Sequence, residues 1–113
     1  MPEPERTDDG RYLVIGGRRW RAGDPCLPEG ERERLVAHLM AARRAVGAAL
    51  RSGDHEAERS ARTRVGWAKE GLGERGTPWW ELPGDERRLR WEAALRRLDA
   101  PASPDAASGE AGA

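Results

Sequence analysis

The chain has no phenylalanine, one tyrosine and one cysteine. Asparagine and glutamine are missing altogether, Ile15 is the only isoleucine and Lys69 the only lysine. With Cys26 alone, no intrachain disulfide forms and no cysteine cluster holds a metal. A lone thiol fits a reducing compartment. No stretch of about 18 apolar residues is present, so no membrane-spanning helix is expected. The first residues are rich in proline and acid and have no apolar core, which argues against a secretory signal. Charge of one sign is also lacking: 20 acidic residues balance 20 basic ones. These shortages lead to the expectation of a cytoplasmic protein with no membrane partner.

Present instead are five tryptophans, abundant alanine and glycine, and charged residues at 35% of the chain. Aromatic packing is therefore mostly tryptophan packing. All basic residues but Lys69 are arginine. With so few Lys, Asn and Ile, this pattern reads as the codon bias of a GC-rich genome and makes the arginine count weak support for phosphate binding. Residues 1–10 are acidic on balance, residues 11–50 basic, and the last residues acidic again. A chain of 113 residues allows one small domain of modest burial.

Residues 1–10 read as a disordered lead and 100–113, made of Ala, Pro, Ser, Gly and two acids, as a disordered tail. Between them, 11–22 reads as a β-hairpin about Gly16-Gly17, whose glycines supply the positive φ of a two-residue turn. That turn sets Leu13 opposite Trp20 and Ile15 opposite Arg18. Leu13, Ile15 and Trp20 are then the expected buried side, with Trp20 structural. A hairpin alone is unstable in water, so it should dock on the helices.

The spacing predicts a first helix over 28–51 with Leu35, Val36, Leu39, Met40, Val46 and Leu50 on one face. Arg43 interrupts that face and is expected to bond a carboxylate, Glu70 or Glu74, because a buried unpaired charge is costly. Ser52-Gly53-Asp54 ends this helix and caps the next, 54–72. So short a link forces an antiparallel, coiled-coil-like helical hairpin. The second helix carries Ala57, Ala61, Val65, Ala68 and Leu72 as its seam, with Trp67 about 120° away. Gly71, Gly73 and Gly76 read as its glycine-rich exit, followed by Pro78-Trp79-Trp80. A third helix, 84–99, presents Trp91, Ala94, Leu95 and Leu98. The fold expected is mainly α (α+β): an N-terminal β-hairpin packed on an antiparallel helical hairpin, plus a C-terminal helix.

Chemical motifs are scarce. Cys26, His38 and His55 have no metal-ligand spacing, and His38 reads as solvated. Ser60, Ser103 and Ser108 lie in no nucleophile motif. Gly71-x-Gly73-x-x-Gly76 has the letters of a dinucleotide fingerprint but ends a helix, where that motif must open one. No catalytic residue, metal or cofactor is therefore assigned. Arg18-Arg19-Trp20-Arg21 interleaves basic and aromatic residues, a pattern suited to phosphate contact and base stacking. Trp79-Trp80 suits a flat ligand or a proline-rich peptide, but the favoured reading is that one or both rings close the end of the helical hairpin against Leu39, Met40 or the β-hairpin.

Several stretches share a distinctive spacing: Gly17-Arg18-Arg19-Trp20-Arg21, Asp24-Pro25, Leu39-Met40, Ala42-Arg43-Arg44-Ala45-Val46, and Leu72-Gly73-Glu74-Arg75-Gly76 with Pro78-Trp79-Trp80-Glu81. Over residues 11–81 this pattern resembles a small actinobacterial protein family of no assigned function, some members of which carry the label "biopolymer transporter Tol". The resemblance implies a cytoplasmic bacterial protein and transfers no catalytic residue. The functional expectation is a non-enzymatic protein-interaction module, contacting an unknown protein partner through Trp67, Trp79, Trp80, Arg19, Arg21 or Arg44. A nucleic-acid-binding accessory protein using Arg19, Arg21 and Arg44 is the alternative, and self-association into a homo-oligomer stays open.

Overall fold

A computed structural model describes residues 5–100. Chain order is β1 (Glu5–Arg6), β2 (Tyr12–Ile15), β3 (Arg18–Arg21), α1 (Glu29–Ser52), α2 (His55–Leu72), a 3-10 turn (Trp79–Glu81) and α3 (Gly84–Asp99). The mainly α reading with a small antiparallel sheet is correct. The sheet has three strands in the order β1-β2-β3, one more than the sequence reading allowed. Glu5 pairs with Val14 and Arg6 with Leu13, so residues 5–10 are a strand and turn and not part of a disordered lead. Thr7 and Asp9 make this legible after the fact: their side chains bond each other and the Tyr12 and Arg11 amides, holding the turn. Residues 1–4 of the expected lead, and the expected tail beyond Ala100, lie outside the described residues.

Local chemistry sets the helix ends. Gly53 (φ 73°) and Gly73 (φ 86°) adopt the left-handed conformation after α1 and α2. At both ends the chain closes a Schellman motif. Gly53 N–H donates to Leu50 and Asp54 N–H to Ala49; Gly73 N–H donates to Glu70 and Glu74 N–H to Lys69. The Asp54 carboxylate accepts from Ala57 N–H at 3.0 Å, capping α2.

The core lies where the helices meet. Leu35 and Leu39 of α1, Ala68 and Leu72 of α2, and Trp91, Ala94, Leu95 and Leu98 of α3 are buried together with Leu27. Burying each large side chain is worth about 1.5–3 kcal/mol. At Gly71 the three helices pack tightly: an added Cβ would lie 2.7 Å from Leu35 Cδ2 and 2.8 Å from Ala94 Cβ. Gly71 is thus a packing glycine inside α2 as well as part of its exit.

The buried face of α1 is rotated from the expected one. Leu35, Leu39, Ala42 and Ala49 are inside, whereas Val36, Met40 and Leu50 are exposed. Ala42, Ala49 and Ala61 are all buried, so the axes approach on small side chains and the bulkier residues move to the flank. Arg43 moves with them to the exposed side. Ala57, expected in the α2 seam, is likewise exposed. No helix among the described residues is long and apolar enough to cross a membrane.

Candidate interaction surface

The sheet meets the helices at its base, through the Trp79–Trp80 turn. Pro78 leads the chain into that turn, and Trp79 is buried, its Nε1–H donating to the Ala22 carbonyl at 2.9 Å. Trp80 stands nearly perpendicular to it, centroids 5.1 Å apart, and meets the edge of Tyr12 at 5.7 Å. The guanidinium groups of Arg11 and Arg21 lie 4.8 and 5.9 Å from the Trp80 ring. Arg21 Nη1 also donates to the Gly76 carbonyl at 2.7 Å. Arginine stacks on ring faces while its N–H groups bond in the plane, and Arg21 does both. Trp79 is thus a structural bolt against the β-hairpin, in line with the favoured reading of the turn, and drops out of the candidate contact residues. Trp80 is half-buried within the same aromatic–arginine stack.

A second node locks the connector onto α3. Asp24 is 6% exposed. Its carboxylate accepts from Arg87 Nε at 2.9 Å and from Arg87 Nη2. Asp24 Oδ1 also accepts from Cys26 N–H, while Asp24 N–H donates to the Leu72 carbonyl. The bond to Asp24 holds the Arg87 guanidinium above its ordinary pKa, and Arg87 lies 5.2 Å over Trp79. Sequence reasoning missed this pair. Asp24-Pro25 signals only a turn, and nothing local marks a partner 63 residues away.

The outer side of the sheet has the opposite character. Ile15 is 50% and Trp20 44% exposed, which corrects the expected burial of that face and the structural role given to Trp20. The reason is the Trp79–Trp80 turn, which takes the Tyr12/Arg21 side and leaves Ile15 and Trp20 outward, while Leu13 stays half-buried. Arg18 caps the exposed Trp20 ring at 4.8 Å, and Arg19 lies 4.8 Å from the Tyr12 ring on the other face. β3 is an edge strand. Its sequence, Arg18-Arg19-Trp20-Arg21, therefore presents a free edge, an exposed indole and three cations together.

The other candidates are dispersed. Trp67 is half-buried against the core, with Arg97 5.7 Å from its ring. Arg44 is exposed on α1. The expected bond from Arg43 to Glu70 or Glu74 is not formed. Arg43 is exposed and lines a groove of about 380 Å³ with Val46, Arg62, Val65 and Arg75. Its long stem reaches solvent without burying the charge. Glu70 instead lines a groove with Arg90, and Glu74 is half-buried at the exit of α2. Arg90 Nη1 donates to Thr77 O at 2.6 Å, and burial lowers its pKa. His38, expected to be solvated, bonds Asp99 at 2.7 Å, and Arg34 bonds the same carboxylate.

Among the described residues no three His, Cys, Asp or Glu side chains gather where they could hold a metal ion. Cys26 is exposed and unpaired. Comparison with known proteins returns no match to a family model, to a curated protein or to a solved structure.

Proposed function

We propose that this protein is a non-enzymatic interaction module whose contact surface is the outer side of the N-terminal sheet. The observation that carries this reading is the exposure of Trp20 and Ile15 on and beside an edge strand. Large apolar side chains cost little when scattered singly. An indole set among cations at an open sheet edge fits the composition of a contact centre, where Trp and Arg are enriched. The tryptophans of the turn hold the sheet in place. The test is recovery of partners on tagged protein from a native bacterial lysate. Trp20→Ala should lose the specific protein while leaving the helical circular dichroism unchanged. Recovery of the same proteins by Trp20→Ala and the unaltered chain would sink the reading.

A nucleic-acid partner is the second reading, favoured by one observation: Trp20 is exposed with Arg18 on its ring, and Arg19 is exposed beside it on the other face of the same strand. It predicts binding to a single-stranded oligonucleotide that weakens steeply with salt and requires Trp20. No binding at about 50 mM salt removes it.

A further inference from the structure

The proposed contact surface has a feature more specific than exposure, namely a row of unpaired backbone groups in fixed register. Ala22 N–H donates to Arg11 O, so the pair Arg11–Ala22 is a hydrogen-bonded one. The register Tyr12–Arg21, Leu13–Trp20, Val14–Arg19, Ile15–Arg18 then alternates along the ladder. Trp20 and Arg18 turn their N–H and C=O groups toward β2. Arg19 and Arg21 turn theirs outward, where no strand pairs with them among the described residues. Their side chains lie on the sheet face opposite to Trp20, since successive residues alternate.

We infer that the β3 edge takes an extended acidic peptide as a fourth, antiparallel strand. This rests on the interaction reading above and names the occupant and its register. The argument for an acidic partner is charge. Arg18, Arg19 and Arg21 are three cations in a strand of four residues, and none of them has a carboxylate within ion-pair distance among the described residues. A second copy of the chain added at this edge would set arginine against arginine, and like charges directly opposite are destabilising. The same arginines that discourage self-pairing select an anionic strand. Added antiparallel, the strand bonds Arg19 and Arg21 through residues two positions apart. Those residues share a face with Arg19 and Arg21 and are acidic. The residue between them lies beside Trp20 and is apolar. Main-chain bonds supply affinity, and the alternating pattern supplies specificity.

The probe is a fluorescein-labelled peptide of about seven residues alternating glutamate and valine, which at ~3.4 Å per residue overruns the four-residue strand at both ends. Two N-methylated forms go with it, one blocked at the glutamate amides and one at the valine amides. The unmodified peptide binds, and in the complex the Arg19 and Arg21 amides slow in hydrogen exchange while the Trp20 amide, already bonded to β2, does not change. Blocking the glutamate amides weakens binding by about tenfold or more; blocking the valine amides, which face away, weakens it far less. Arg19→Glu, which leaves the contacts of Arg21 with Gly76 and Trp80 in place, transfers preference to a lysine–valine peptide. Equal binding by both methylated forms, unprotected Arg19 and Arg21 amides in the complex, or no binding at millimolar peptide each overturns strand addition. The lysate comparison with Trp20→Ala decides the wider reading separately, because it does not depend on backbone pairing. An oligonucleotide that binds through Trp20 while the glutamate–valine peptide does not bind assigns the edge to nucleic acid and overturns the inference as well.

Discussion

Asp24 and Arg87 show how one ion pair fixes a connector to a helix. The Asp24 side chain is 2% and the Arg87 side chain 15% exposed, so removing one partner strands a charge in a poorly hydrated place. Asp24→Ala is expected to cost about 3–5 kcal/mol in urea unfolding. A double change of Asp24→Ala with Arg87→Met should cost clearly less than the single one, and an equal or greater loss would contradict a paired charge. Asp99 is a weaker case on the surface. The hydrogen bond from His38, and with less weight that from Arg34, hold its carboxyl below the usual carboxylate range against an opposing desolvation penalty. A depressed folded value stabilises above the unfolded value, near about pH 4, and is lost as pH falls through the folded value. The exposed setting limits the effect to under about 1 kcal/mol. Asp99→Asn should flatten this part of the acid limb of stability against pH; an unchanged limb would show that the carboxylate contributes nothing there.

At the scale of elements, two glycines of similar appearance do different work. Gly53 sits at φ 73° with open space around its missing Cβ, so only backbone strain opposes a side chain. Gly53→Ala should cost about 1–2 kcal/mol. Gly71 has ordinary helical geometry, but Leu35 and Ala94 occupy the place of a Cβ. Gly71→Ala should cost about 1–3 kcal/mol through overpacking, and it should do so by separating α2 from α1 and α3. Thermal unfolding of both variants, with chemical shifts of Leu35 and Ala94 methyls, tells strain from crowding. A Gly71→Ala variant of unchanged stability would refute the three-helix contact.

For the molecule as a whole, α3 completes the domain. It supplies Trp91, Ala94, Leu95 and Leu98 to the same cluster as Leu35 and Leu72. Arg64 Nη2 reaches the Leu98 carbonyl at 2.7 Å, tying the end of α3 to α2. Trp91→Ala is expected to cost about 3–5 kcal/mol and to lower the denaturant midpoint of one shared transition. Two separate transitions would show that α3 is an independent unit. The sheet depends on this body through Trp79, Trp80, Arg21 and Ala22. A residue of the turn and a residue of the edge therefore matter differently: Trp79 for holding the sheet, Trp20 for what the sheet meets.

Features closed within a few residues could be read from the order of amino acids alone. Gly16-Gly17 set the hairpin and its register, Gly53-Asp54 the end of one helix and the start of the next, and the spacing of Trp91, Ala94, Leu95 and Leu98 a buried face. Such signals are local because backbone dihedrals and caps are satisfied by near neighbours. The tertiary structure alone decided which side of the sheet is covered, that Trp79 is inside and Trp20 outside, and that Asp24 meets Arg87. Both sides of the hairpin carry apolar residues, so the alternating pattern offers no preference; the Trp79–Trp80 turn decides by where it lands. Arg43 misled for a related reason: its place in the helical period is fixed locally, but its exposure follows from how closely Ala42, Ala49 and Ala61 let two helices approach.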